Sequence, residues 1–201
     1  EIYVRSDTVG EEVFYNCKSI SSVHCVNTVT IESNAFYGTE TLSEIGLVGN
    51  NNSCANNAFL ESNENLTVYS NGSVNGLDSS NNNIKICTDY SLRTKSNGNI
   101  ILQAYLGSAT DVKIPQCLKI YEIDSSVFEG NTNIESVHIP NSVRNIGERA
   151  FASCPYLEEI SCACNVTNVG PYAFSNCPKL ERVPSMKSLE IVDEYAFSST
   201  G

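Results

Sequence analysis

The sequence predicts a solenoid of stacked parallel strands, a curved α/β or mainly-β horseshoe, and three observations carry that reading. First, one phrase is written twice. Ile146-Gly147-x-x-Ala150-Phe151-x-x-Cys154-Pro155-x-Leu157 returns 23 residues later as Val169-Gly170-x-x-Ala173-Phe174-x-x-Cys177-Pro178-x-Leu180. Second, all 7 phenylalanines of the 201-residue chain fall in one slot of that repeat: Phe14, Phe36, Phe59, Phe128, Phe151, Phe174 and Phe197. Their spacings are 22, 23 or 69 residues, the last being three periods. Third, aliphatic positions keep step with the rings. Val9, Ile31, Cys54, Ile123, Ile146, Val169 and Val192 stand five before them, and Val23, Ile45, Val68, Val137, Ile160 and Val183 stand nine after. A unit of this size cannot bury its own apolar face, so it must stack on its neighbours. About nine such rungs fit the chain length.

Each part of the unit has its own local logic. Residues eight to eleven after each phenylalanine alternate apolar and polar with period two, which predicts a short strand stacked at roughly 4.8 Å on the next. The Ala-Phe segment follows Gly, Pro or acidic residues and precedes small polar ones, which predicts a single helical or 3₁₀ turn. The rings themselves should form an internal column. Residues 64–114 depart from the rhythm: Asn82 and Tyr105 take the Phe slots, and NGSVNGLDSSNNN (71–83) reads as loop. The following TDYSLRTKSNGNIILQAYL predicts a β-hairpin turning at Ser96-Asn97-Gly98. The expected organisation is a single solenoid domain over 1–201, with regular repeats at 5–63 and 115–201 and an irregular hairpin insertion at 64–114.

The phrase running from Ile139-Pro140-Asn141-Ser142-Val143 through Cys154 resembles the BspA-like class of leucine-rich repeat, and the likeness covers nearly the whole chain. It implies a surface or secreted protein of the kind found in bacteria and parasitic protists, a leucine-rich-repeat solenoid, and binding to host matrix proteins, host cells or other microbes. Within that class a hairpin module often replaces a standard rung, which suits residues 90–105.

Composition narrows the partners. Twelve basic against 23 acidic residues give a net charge of −11. Without a basic stripe, the electrostatic footprint of a nucleic-acid binder is missing, and an anionic membrane repels the chain. No apolar run reaches the roughly 20 residues needed to span a bilayer, and no signal-peptide pattern opens at Glu1, so no direct membrane insertion is expected from this segment. The chain starts and stops inside a repeat and reads as a fragment or mature piece of something longer. Surface or secreted placement is expected from the resemblance, and a cytoplasmic scaffold is the alternative that the many cysteines favour.

The 9 cysteines follow the repeat grid more than a disulfide framework. Cys17, Cys154 and Cys177 stand three after their phenylalanine, where other rungs carry Thr39, Ser62, Asn131 and Thr200: a ladder of small polar groups able to bond the neighbouring rung's backbone. Cys54 takes an Ile/Val slot, and Cys25 and Cys162 take the slot of Leu47 and Ile139, as small buried hydrophobes. Cys87, Cys117 and Cys164 fit the grid least well, and their disulfide state stays open. Cys162-Ala163-Cys164 lacks a second pair at zinc-finger spacing.

No enzyme is expected. His24 and His138 are the only histidines and lie five rungs apart, too far to act as a pair, and no nucleophile-elbow, phosphate-loop or metalloprotease motif occurs. Asp78-x-Ser80-x-Asn82 with Asp89 faintly resembles a calcium loop, but Asn83 stands where glycine is required. No cofactor or metal is therefore expected. Asn51, Asn65, Asn71 and Asn165 begin glycosylation sequons, a pattern compatible with secretion. The concave face of a solenoid is where extended ligands bind, and its outward strand positions nominate Ser22, His24, Glu44, Tyr69, Ser136, His138, Glu159, Ser161 and Arg182 for contact with a protein partner. The hairpin at 90–105 is a second candidate surface.

Overall fold

In the computed structural model, residues 1–77, 84–162 and 165–201 are described. Asn82 in its Phe slot, the calcium-loop likeness at Asp78-x-Ser80-x-Asn82, and Cys164 lie outside the described residues. Two compact units, Glu1–Tyr90 and Ser91–Gly201, each build a parallel β-solenoid. There are about eight turns in all, fewer than the nine expected, because the hairpin contributes two strands where a rung would contribute one to that sheet.

In the first unit the strands eight to eleven after Phe14, Phe36 and Phe59 stack in one sheet, with one further strand at each edge. In order they are Ile2–Val4, Ser22–Cys25, Glu44–Leu47, Thr67–Ser70 and Lys85–Cys87. The register puts Val23 beside Ile45, Ile45 beside Val68 and Val68 beside Ile86, so one aliphatic layer runs through the stack. A second parallel sheet forms from Thr8–Val9, Thr30–Ile31, Asn52–Cys54 and Val74–Asn75. The first three carry Val9, Ile31 and Cys54, the slot five before the phenylalanine. At two or three residues they are too short for alternation to show in the sequence, and they were not expected as strands.

The second unit repeats the plan. Asp111–Lys113, Ser136–Ile139 and Glu159–Cys162 form the sheet after the phenylalanine. Tyr90–Thr94, Ile100–Tyr105, Ile120–Ile123, Asn145–Ile146, Asn168–Val169 and Ile191–Val192 form the other. The expected hairpin is present as its first two strands. Its turn is closed by Lys95 N–H donating to the Asn99 carbonyl at 2.8 Å and Gly98 N–H to the Lys95 carbonyl at 2.9 Å.

The Ala-Phe segment is not a helical turn, as the sequence suggested. The only helix among the described residues is a 3₁₀ turn at Gln116–Leu118. The segment is instead a chain of overlapping β-turns that use the left-handed region twice. In the rung of Phe151, Ala150 N–H bonds back to Gly147 and Ala152 to Arg149, closing turns within the rung. Phe151 and Ser153 donate the other way, to Ala173 and Ser175 of the next rung, both at 2.8 Å. Positive φ two before and two after the ring produces this alternation: Arg149 at 54° and Ser153 at 57° here, Tyr172 and Asn176 both at 56° in the next rung. In other rungs the second position is Gly38 or Gly130, the residue to which the left-handed region costs least. Gly147 serves a different need, since a Cβ there would meet the backbone of Asp124 and Ser125 at 2.7 Å.

The phenylalanines do stack. Ring centroids of Phe14, Phe36 and Phe59 are 5.0 and 5.2 Å apart in the first unit. In the second, Phe128, Phe151, Phe174 and Phe197 follow at 4.8, 5.1 and 5.0 Å. Tyr105 heads that column as the sequence predicts, 5.2 Å from Phe128 and tilted by 35°. The five phenylalanines inside the columns are buried, while Phe14 and Phe197 are half-covered.

The cysteines largely follow their slots. Cys25, Cys54, Cys117, Cys154 and Cys177 are buried, and Cys17, Cys87 and Cys162 are partly covered. The ladder three after the ring divides in two. Thr39, Ser62 and Thr200 donate to the phenylalanine carbonyl of their own rung at 2.6 to 2.8 Å, whereas Cys154 and Cys177 reach the preceding rung's Phe128 and Phe151 carbonyls at 3.0 Å. The hydrogen bond with Cys177, together with burial, holds the Cys154 thiol above the ordinary cysteine range. Burial pushes Cys25 and Cys54 up to about 12.

Phe151→Ala should cost about 3–5 kcal/mol in urea unfolding, as for any aromatic truncated in a packed core. Phe14→Ala should cost clearly less because its ring is half-covered, and equal losses would argue against an internal column. The thiols generate a second expectation. A folded pKa raised above the ordinary thiol value of 9.0 favours the neutral thiol, so stability is complete below that pH and falls as pH rises toward about 12. The slope is at most about 1.4 kcal/mol per pH unit for each thiol. Cys54→Val, which restores the aliphatic type of Val9 and Ile31, should flatten the alkaline decline of the urea midpoint; an unchanged slope would rule Cys54 out as its source.

Candidate functional site

Because side chains alternate across a strand, the positions eight and ten after each phenylalanine project from the sheet face opposite the aliphatic layer. Parallel pairing then sets equivalent side chains of successive rungs in rows. The second unit carries the richer set. One row runs Asp111, Ser136, Glu159, Arg182, and the row beside it Lys113, His138, Ser161. Ser136 Oγ donates to Asp111 Oδ1 at 2.6 Å, and Lys113 Nζ lies 3.3 Å from Asp111 Oδ2. These two hold the Asp111 carboxyl below the usual carboxylate range, the serine hydrogen bond contributing most. Arg182 pairs with Glu159 at 3.3 Å, and His138 Nδ1 is 3.1 Å from Ser161 Oγ. Five of the nine nominated residues, Ser136, His138, Glu159, Ser161 and Arg182, thus meet on one face.

Asp111 and Lys113 complete that face and escaped the sequence reading. Counting eight forward from Tyr105 lands on Lys113, but the register pairs Asp111 with Ser136, so this rung is two residues short between ring and strand. The period-two pattern of Asp-Val-Lys was the one signal present, and three residues are too few to read it from.

The other four nominated residues lie on the equivalent face of the first unit. Ser22, Glu44 and Tyr69 are half-buried there. His24 is not the open residue that its outward strand position implies, being only 2% exposed. The Tyr3 ring packs edge-on against its imidazole at 5.7 Å, and its neighbour in the next strand is Gly46, which has no side chain to hold it away from the sheet. Cross-strand cover, which one strand's pattern cannot reveal, makes His24 part of the packing.

The sequons also separate. Asn51 and Asn65 are exposed. Asn71 Nδ2 donates to Asn50 Oδ1 at 2.6 Å and Asn165 Nδ2 to the Asn141 carbonyl at 3.1 Å, so a glycan on either would break a bond between rungs. Among the described residues no cluster of three or more His, Cys, Asp or Glu could hold a metal ion. Among the described residues no helix is long and apolar enough to cross a membrane.

Rungs of this length, ring slot and strand pairing have a counterpart among known families. The family model described as a BspA type leucine rich repeat region matches residues 2–83 and 98–201 in 6 copies. The chain belongs to the BspA-type leucine-rich repeat family. The break in the match, 84–97, contains the first hairpin strand and its turn, where the repeat is replaced.

Solved leucine-rich repeat proteins resemble the chain. A leucine rich cell surface protein from Faecalibacterium prausnitzii is 17% identical, with 98% of this chain and 78% of that one covered at a TM-score of 0.47. A leucine-rich repeat protein from Bacteroides capillosus is 27% identical over 55% of this chain and 88% of its own, at 0.48. The leucine rich repeat protein of T. pallidum is 26% identical over 50% and 56%, at 0.46. No curated protein matches the chain.

Proposed function

We propose that this BspA-type repeat array is a non-enzymatic protein-binding module of a cell-surface or secreted protein, acting in adhesion or in contact with a host or partner protein. The observation that carries the reading is the row-ordered face of Asp111, Lys113, Ser136, His138, Glu159, Ser161 and Arg182. It mixes both charges, hydroxyls and an imidazole on a sheet whose backbone is paired on both sides at its centre. Such a face offers hydrogen-bond donors and acceptors at fixed spacing without a dense charge of either sign, which suits a folded protein surface. Family membership supports the module.

An intracellular interaction scaffold is the second reading, favoured by the free thiols of Cys17, Cys25, Cys54, Cys87, Cys154 and Cys177. A structural spacer, whose repeats only project some other domain, would bind nothing at this face.

Binding of the purified chain to immobilised matrix proteins and to cells should saturate. His138→Ala with Glu159→Ala should weaken it by tenfold or more while leaving the melting temperature unchanged, since both side chains project from the sheet. Full binding by the double variant would move the contact to the hairpin at 90–105. No binding at micromolar concentration would favour the spacer.

A further inference from the structure

The polar surface side chains of this solenoid mostly pair with the neighbouring rung. Ser53 donates to Thr30, Asn57 to Asn34 and Ser136 to Asp111, and Lys179 meets Glu158. One place in the second unit departs from that habit. A groove of about 410 Å³ is lined by Ser108, Thr110, Thr132, Asn133, Glu135 and Tyr156. Among the described residues the Ser108, Thr110 and Thr132 hydroxyls, the Asn133 side-chain amide and the Glu135 carboxylate have no side-chain partner. Part of the groove's backbone is engaged: Glu135 and Ser136 N–H both donate to the Thr110 carbonyl at 2.8 and 3.1 Å, and Asn133 N–H donates to Asn131 Oδ1 at 2.9 Å. These bonds tie two walls of the groove together while its side-chain donors and acceptors stay open.

The Tyr156 ring adds an apolar wall with a polar tip. It is 49% exposed, and the Lys179 ammonium sits 5.2 Å from its centroid. An aromatic ring beside several uncommitted hydroxyl, amide and carboxylate groups is complementary to a molecule that has an apolar face edged by hydroxyls. A hydrophobic peptide would leave these polar groups desolvated and unpaired, which is costly. Charge narrows the choice. Glu135 lies in the groove, and Glu158 and Glu181 repeat its slot in the next two rungs, only Glu158 being countered by Lys179. An anionic ligand would be repelled.

The comparison within the molecule supports the choice of site. A groove of about 430 Å³ in the first unit is lined by Glu11, Thr30, Ile31, Glu32, Ser33, Ser53, Cys54 and Ala55. It has no aromatic wall, its Ser53 and Thr30 hydroxyls bond each other at 3.1 Å, and Glu32 already accepts from Glu11 N–H at 3.0 Å.

We propose that the Ser108–Thr132–Glu135–Tyr156 groove is a saccharide-binding site that takes a neutral or amino hexose, with the sugar's apolar face on the Tyr156 ring and its hydroxyls on the threonines, Asn133 and Glu135. It adjoins the residues proposed above for protein contact but shares none of them, and it stands or falls independently of them.

Saturation-transfer difference NMR with the purified chain tests it, using galactose, glucosamine and N-acetylneuraminic acid as probes. Galactose and glucosamine should bind in the millimolar range and N-acetylneuraminic acid should not. Tyr156→Ala should weaken both binders at least tenfold and Tyr156→Phe should retain most of the affinity. Glu135→Gln should reduce glucosamine more than galactose. Both positions are exposed, so unchanged melting temperatures verify that the variants fold. His138→Ala with Glu159→Ala should leave sugar binding intact, which separates this site from the protein-binding face. Absence of transfer to either neutral or amino sugar at 10 mM, equal binding by Tyr156→Ala, or equal binding of the anionic sugar would overturn the proposal.

Discussion

Each rung depends on the next for half of the hydrogen bonds in its tightest turn. Around Phe151 the amides alternate, one closing a turn within the rung and the next donating to the neighbour at 2.8 Å. That alternation requires left-handed residues on both sides of the ring, and it aims the ring inward between them. The ring spacing of 4.8 to 5.2 Å along the columns matches the separation of paired strands, so backbone and aromatic stacking impose the same rise. Side chains in equal slots therefore lie beside their equivalents in adjacent rungs. The rows on the sheet face, the thiols of Cys154 and Cys177, and the Tyr172–Tyr195 stack at 5.1 Å all follow from that single constraint.

What the sequence makes legible is whatever recurs at a constant offset. Seven phenylalanines in one slot were enough to anticipate the columns, and Cys54 among Val9 and Ile31 was enough to anticipate a buried thiol. Tyr105 was readable as a substitute ring because its neighbours kept the phase. The features that escaped are local or relational. Left-handed φ falls on Glu12, Asn34, Arg149 and Tyr172 alike, so residue type hardly signals it. The strands before the ring are too short for any periodicity. His24 occupies an outward position by count and is covered by Tyr3 from the adjacent strand, a fact that belongs to the pairing and to no single segment.

Two kinds of surface result from the same stacking. On the sheet face the polar groups are tied to one another, as in Ser136–Asp111 and His138–Ser161, and present a fixed pattern of charge. In the groove beside Tyr156 they are left open, and backbone bonds from Glu135 and Ser136 to the Thr110 carbonyl join its walls. The first suits a large partner that can satisfy an already organised surface. The second suits a small molecule that brings its own hydroxyls.

The register also shows where the chain can change length. Thr30 pairs with Ser53 at an interval of 23, but Thr8 with Thr30 and Asn52 with Val74 at 22, and Asp111 with Ser136 at 25. The turn holding each phenylalanine is unaltered by these differences, which are absorbed in the corners between the two sheets and between ring and strand. Inheritance can therefore work on this molecule in two separate ways. Whole rungs can be copied or lost as in-phase blocks, and corners can gain or lose a residue at a time, reshaping an edge such as the one that carries Ser108 and Thr110 while every buried ring keeps its neighbours.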